Sequence, residues 1–347
     1  METPTTESLP IELIDQILSH LIDGSPTIRA CSSVSRDWHT LARYYHSKGT
    51  TWLVWGTEIP AFIDLLNGPH STACRWLSGL ALLNLHDDES NIDELLTATL
   101  PRFAALQRLR IAGCAENHHL PVQFLCRIPP LLQIHSLVVK NYGFNSLDCV
   151  VTLLDKFPGL KEFKVDNVRY SGISNPEDRP CSTCPARESY SDAQRASLRL
   201  SLTSLDVESM PRRPGAPQEA PILGWLGDPN TAPSVANLRV VAHSSEFQRL
   251  LNTGGPRLVD GLKGLHVDFE RTHYLPQKLE AYTFPNLHTL RLGFLSLWDY
   301  WPAYLREILP EALEAILEQG RMPTLRTLIL DIHATTPSLF RKLRARA

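Results

Sequence analysis

The sequence predicts an α/β chain in two parts, a small all-α module of three helices followed by an irregular solenoid of about nine strand-helix turns. Three observations predict it. The stretch Leu9 to Tyr45 carries apolar residues at helical spacing. The body repeats one short apolar pattern nine times, and two of the three longest intervals between copies are polar and bear prolines. The boundaries that follow are residues 8–47 for the helical module and 52–343 for the body, with polar loops over 169–198 and 210–234.

The amino-terminal stretch places Pro10 in the first turn of a helix, where a missing N–H costs nothing. At 100° per residue, Ile11, Leu13, Ile14, Ile17, Leu18, Leu21 and Ile22 fill an arc of about 180°. Glu12, Asp15, Gln16, Ser19, His20 and Asp23 fill the other half. One packing neighbour needs a stripe of roughly 100°, so this helix has apolar surface to spare. Leu9 is a poor N-cap, where Ser, Thr, Asp or Asn would serve better, and is expected to be buried against something. Gly24, Ser25 and Pro26 break the chain, after which Ile28, Cys31 and Val34, then Trp38, Leu41, Ala42 and Tyr45, continue at helical spacing. A unit of about forty residues without a metal or disulfide pattern has to complete its core against another surface. That surface is either a partner protein or the chain's own body, which the helices would then cap.

The body carries L-x-x-L-x-L at Leu80/Leu83/Leu85, Leu106/Leu109/Ile111, Ile134/Leu137/Val139, Leu160/Phe163/Val165, Leu202/Leu205/Val207, Val235/Leu238/Val240, Leu262/Leu265/Val267, Leu287/Leu290/Leu292 and Leu325/Leu328/Leu330. The first, fourth and sixth positions point inward and the residues between them outward, as in a short strand. Ile92–Phe103, Leu120–Arg127 and Asn145–Phe157 have helix-like spacing between strands. One strand and one helix cannot bury their own apolar face, so the turns must stack. Prolines in Phe157-Pro158, Phe284-Pro285 and Met322-Pro323 stop the preceding helix just before a strand. The segment Trp298 to Leu317 reads as an amphipathic helix interrupted near Pro310, and the end from Phe340 as a short basic helix terminus.

Composition narrows the function. Hydrophobic residues at 43% and charged residues at 20% describe a chain that folds. A net charge of −3 argues against a general nucleic-acid or membrane binder. No apolar run reaches the 18 or so residues of a membrane helix, and Met1–Ser8 lacks the features of a secretory signal. Seven cysteines at irregular intervals suit reduced thiols in cytoplasm or nucleus. Cys181-x-x-Cys184 has no second pair to complete a zinc ribbon, and Cys114, His118, His119 and Cys126 resemble ligands only on paper. Hydrolase elbows, phosphate loops, zinc-helix motifs and dinucleotide fingerprints are missing. No catalytic group, cofactor or metal is therefore expected.

The concave face of stacked repeats is their usual binding surface. Its fifth repeat position reads Asn84, Arg110, Val138, Lys164, Asp206, Arg239, His266, Arg291 and Ile329. Two residues further on come His86, Ala112, Lys140, Asp166, Glu208, Val241, Asp268, Gly293 and Asp331. The basic bias of the first column would favour an acidic or phosphorylated segment, but the acids of the second largely cancel it. A mixed-charge face specific to one protein partner is the expectation, with Arg110, Lys164, Asp206, Arg239, His266 and Arg291 as its candidate residues.

The run Leu9-Pro10-x-Glu12-Leu13-Ile14-x-x-Ile17-Leu18-x-x-Leu21, a short gap, then Cys31-Ser32-x-Val34-Ser35-Arg36-x-Trp38, resembles the F-box, in wording close to its fungal version. The body resembles the irregular leucine-rich-repeat domains that often follow one, its second repeat carrying Cys114 at the consensus Asn/Cys position. The resemblance implies a non-enzymatic substrate receptor of an SCF-type cullin-RING ubiquitin ligase. Leu9, Pro10, Ile11, Leu13, Ile14, Ile17, Leu18, Val34, Ser35 and Trp38 would hold a Skp-family adaptor, and the repeat body an unknown protein substrate. The alternative is a repeat scaffold whose helices only cap its own solenoid.

Overall fold

The computed structural model describes residues 9–21, 25–49, 51–68, 73–85, 89–113, 128–144, 147–170, 201–209, 226, 234–242, 258–269, 283–294, 314 and 321–332. The chain divides into two compact units, Met1–His118 and His119–Ala347. The three amino-terminal helices share a unit with the first strands.

In the first unit, α1 (Ile11–Ser19), α2 (Ser25–Cys31) and α3 (Arg36–Gly49) form a small core of Ile14, Leu18, Ile28, Ala42 and Tyr45. Leu21, Cys31, Trp38, Leu41 and Tyr44 pack around it half-buried. Pro10 stands one residue before the helix as its N-cap, not in the first turn. Its carbonyl accepts hydrogen bonds from the Leu13 and Ile14 amides at 3.0 and 3.2 Å. The Tyr45 hydroxyl donates to Asp15 Oδ1 at 2.8 Å and ties α3 to α1. Burial, then the bond to Asp15 and its charge, push the Tyr45 phenol up to about 12.

The remainder of this unit is β1 (Thr51–Trp55), α4 (Ile59–Asn67), the single turn α5 (Ala73–Trp76), β2 (Gly79–Leu85), α6 (Glu89–Glu94) and β3 (Arg108–Gly113). Helix α6 runs into a π turn over Leu95–Thr99 and a tight turn over Leu100–Arg102, in place of one regular helix through Phe103. The strands pair in parallel, β1 with β2 and β2 with β3.

The register corrects the repeat reading at its start. Leu80 lies beside Leu109 and Leu82 beside Ile111. The inward set of the first repeat is thus Leu77/Leu80/Leu82, all buried, rather than Leu80/Leu83/Leu85. Ala81 takes the outward fifth position beside Arg110, and Asn84 sits past a bulge with a left-handed φ of 52°. Strand β1 is a further turn of the same kind, with Val54 inward and Leu53 outward.

In the second unit the strands are β4 (Ser136–Lys140), β5 (Gly143–Phe144), β6 (Glu162–Tyr170), β7 (Ser201–Ser209), β8 (Ser234–Ala242), β9 (Gly264–Phe269), β10 (Thr289–Phe294) and β11 (Thr327–Ile332). From β4 they pair in parallel in the order β4-β6-β7-β8-β9-β10-β11, and β5 adds to β6. Leu137/Val139, Phe163/Val165, Leu205/Val207, Leu238/Val240, Leu265/Val267 and Leu290/Leu292 are buried as the alternation requires. Each contributes on the order of 1.5–3 kcal/mol by burial. The helix Leu147–Leu154 fills the segment whose spacing predicts one.

Before five of the inward runs lies the same tight turn. The amides of Leu106, Ile134, Leu160, Leu287 and Leu325 bond the carbonyls of Phe103, Leu131, Phe157, Phe284 and Met322, three residues back. Pro158, Pro285 and Pro323 occupy the second position of such turns, which suits their fixed φ. The prolines thus shape the entry into each strand, beyond stopping a helix. After β4, Asn141 repeats the left-handed conformation of Asn84, with φ of 54°, at the same repeat position. Tyr142 and Leu85 then turn back into the core.

Ile22, the four possible ligands between Cys114 and Cys126, Leu120–Arg127, Cys181/Cys184, the aromatic segment from Trp298 and the basic end lie outside the described residues. So does most of the two polar segments. Among the described residues no helix is long and apolar enough to cross a membrane, and no group of His, Cys, Asp and Glu could hold a metal ion.

Candidate functional site

Two surfaces carry the sequence-derived candidates. On α1 the apolar arc is divided between neighbouring ridges. Ile14 and Leu18, spaced by four, are 2% and 0% exposed and belong to the three-helix core. Leu9, Leu13 and Ile17, also spaced by four, are between 41% and 48% exposed, and Ile11 is 51% exposed. Leu13 and Ile17, four apart, stack along one face of α1, and Leu9, just before the Pro10 cap, adds to the exposed apolar surface at this end. Val34, between α2 and α3, is 64% exposed as well. Ser35 opens α3: its Oγ accepts from the Trp38 amide at 3.4 Å, and its carbonyl from the His39 amide at 2.8 Å. Trp38 is half-buried against the core. Ile14, Leu18, Ser35 and Trp38 therefore have structural work, while Leu9, Ile11, Leu13, Ile17 and Val34 are open.

The Tyr44 ring of α3 meets Trp76 of α5 edge-on, with centroids 5.3 Å apart. Helix α5 thus engages α3, and Leu9, Leu13 and Ile17 stay exposed.

The second surface is the outward side of the strands. In the second unit, candidate bases and acids meet across neighbouring strands. Lys140 Nζ donates to Asp166 Oδ2 at 2.7 Å and Lys164 Nζ to Asp206 Oδ2 at 3.0 Å. Arg239 reaches in two directions, through Nη1 to Asp206 Oδ2 at 3.4 Å and through Nε and Nη2 to Asp268 Oδ2 at 3.0 and 2.9 Å. His266 Nε2 lies 2.9 Å from Asp268 Oδ1, and Arg291 pairs with Asp331. Asp268 is the buried centre of this ladder. Burial pushes its carboxyl up, but hydrogen bonds and positive charge from His266 and Arg239 outweigh that and hold it below the ordinary carboxylate range. Gly293 lies beside Asp268, where a Cβ would run into the carboxylate.

The first unit presents a different face. Its outward positions are Thr51, Leu53 and Trp55 on β1, Gly79, Ala81 and Leu83 on β2, and Arg108, Arg110 and Ala112 on β3. Leu53 and Trp55 are 60% and 49% exposed, and both arginines are exposed. Of the candidate face, the structure brings Lys164, Asp206, Arg239 and His266 into one charge network, and leaves Arg110 and Arg291 apart from it. Sequence reasoning missed Leu53, Trp55 and Arg108. The signal for Leu53 and Trp55 was the unbroken apolar run Trp52 to Trp55, which shows no alternation to read.

Comparison with known proteins fits the first surface. Residues 6–46 match the family model described as F-box-like. No curated protein matches the chain. The match supports an F-box protein, and adaptors of the Skp type are the kind of partner such modules bind.

Proposed function

We propose that this chain is the substrate-recognition subunit of an SCF-type cullin-RING ubiquitin ligase, acting in cytoplasm or nucleus and carrying no catalytic group. The helical module holds a Skp-family adaptor. The strand-built body, read as leucine-rich-repeat-like, holds a protein substrate and brings it close to the charged ubiquitin carrier. The observation that supports this reading is the open ridge Leu9, Leu13, Ile17 on a module that matches the F-box-like model. Each of these side chains is about half exposed, so covering it contributes on the order of 1 kcal/mol gross. Several together, with Ile11 and Val34, offset part of the entropy lost on association.

The scaffold reading, in which the helices only cap the body, has one observation in its favour: the Tyr44–Trp76 contact joins the module to its unit. A cap would also use the outer ridge of α1, and that ridge is exposed. Capture with a Skp-family adaptor separates the two. Wild type should retain it, and a Leu9→Asp plus Leu13→Asp chain should lose at least about tenfold in affinity while unfolding at the same denaturant concentration. Equal retention by both chains would remove the ligase reading.

A further inference from the structure

We infer that the outward face of β1, β2 and β3 binds an extended protein segment carrying two carboxylates, two residues apart, beside a bulky apolar side chain. This deepens the substrate-receptor reading and rests on it.

None of the nine outward positions on these strands is acidic. Glu58, the nearest carboxylate in sequence to Trp55, accepts from the Trp55 amide at 3.1 Å. Among the described residues neither Arg108 nor Arg110 has an ion-pair partner, in contrast to the bases of the second unit, which face carboxylates. Two guanidinium groups and two large apolar side chains thus stand open on one face. A Cβ on Gly79 would stand 2.8 Å from Thr51 Oγ1 and 3.3 Å from Arg108 Nη2, so the bare position lets the flanking side chains close over the middle strand. Ala81 beside it is buried.

The spacing defines the ligand. Residues two apart on a strand repeat every 6.5 Å or so, and neighbouring strands lie about 4.8 Å apart. Arg108 and Arg110 therefore present two forks at the interval at which an extended chain presents its own same-side residues. Two carboxylates at that interval meet both forks. The wall of Leu53 and Trp55, roughly 10 Å across from the arginines, takes an apolar side chain of the same segment. A single phosphate needs cations converging on one point, and nucleic acid needs many phosphate contacts for useful affinity. Two cations set apart along a strand fit neither as well as paired carboxylates.

The test is to pan a phage-displayed library of random peptides on the full chain, counter-selecting with an Arg108→Glu plus Arg110→Glu chain. Peptides enriched on wild type should carry Asp or Glu at i and i+2 near Leu, Phe or Trp. Measured by fluorescence anisotropy, they should lose at least about tenfold in affinity on the double-Glu chain. The loss should be severalfold on Trp55→Ala and absent on Lys164→Ala. An Arg108→Gln plus Arg110→Gln chain should rank between wild type and double-Glu, which guards against a folding defect. Enrichment of neutral or basic peptides, no enrichment over the counter-selection, or oligothymidylate binding with the same arginine dependence would overturn the inference. Adaptor capture on the same chains keeps the two readings apart. An adaptor retained by the double-Glu chain that has lost its peptides supports a separate substrate face, whereas wild type without adaptor removes the ligase reading and leaves the peptide result standing.

Discussion

The outward strand faces of the two units share one backbone geometry and differ in what they leave unsatisfied. From Lys140 to Asp331, cations and carboxylates of neighbouring strands neutralise one another, with Asp268 buried at the centre. From Thr51 to Arg110 the same outward positions hold exposed Leu53 and Trp55 and two arginines that, among the described residues, pair with no carboxylate. Parallel register sets side chains about 4.8 Å apart in both. The chemistry placed on that lattice decides whether a face supports the fold or waits for a ligand.

The contrast can be broken most forcefully at Asp268. Asp268→Ala strips Arg239 and His266 of their shared acceptor, and should lower the unfolding free energy by about 2–3 kcal/mol in urea titration. Arg110→Ala, on the open face, should change it by less than about 0.5 kcal/mol. Equal effects would erase the distinction. Acid should act on the same centre. A carboxyl whose folded pKa is depressed contributes stability that is present above its unfolded pKa and lost as pH falls through the folded value. Unfolding followed by circular dichroism should therefore show the contribution intact at neutral pH and shrinking below about pH 4. Asp268→Asn should flatten that fall. Lys164, about a third exposed in its pair with Asp206, marks the weak end of the ladder, and Lys164→Ala should cost only about 0.2–1 kcal/mol. Leu53→Ser, at a side chain already 60% exposed, should cost no more than about 1 kcal/mol by the same titration. A larger loss would mean that the apolar wall belongs to the core.

Much of this architecture was legible in the residues. Leu205/Val207 or Leu265/Val267 alternate cleanly with polar neighbours, so period two gave both the strand and its inner face. The reading slipped where the alternation fails. Leucine occupies positions 77, 80, 82, 83 and 85, so two registers three residues apart fit the pattern equally, and only pairing with Leu109 and Ile111 selects one. Strand β1 escaped for the same reason, since Trp52, Leu53, Val54 and Trp55 are apolar on both sides. The cancelling charge columns were visible in sequence. That Arg239 bridges Asp206 and Asp268 was not, because it depends on which strands are neighbours across intervals of about thirty residues. On α1 the surplus of apolar arc was legible, and its division into a buried ridge at Ile14 and Leu18 and an open one at Leu13 and Ile17 required the packing of α3.

That division also bears on how much of the protein a cell can keep. A folded state with a greasy ridge open to water gains stability by mass action from whatever covers it, in proportion to the logarithm of the cover's concentration. Made in excess of that cover, the chain meets other copies and the quality-control machinery with Leu9, Leu13 and Ile17 bare. On the substrate-receptor reading its steady-state level follows the dosage of the adaptor, and co-expression of the two should raise yield.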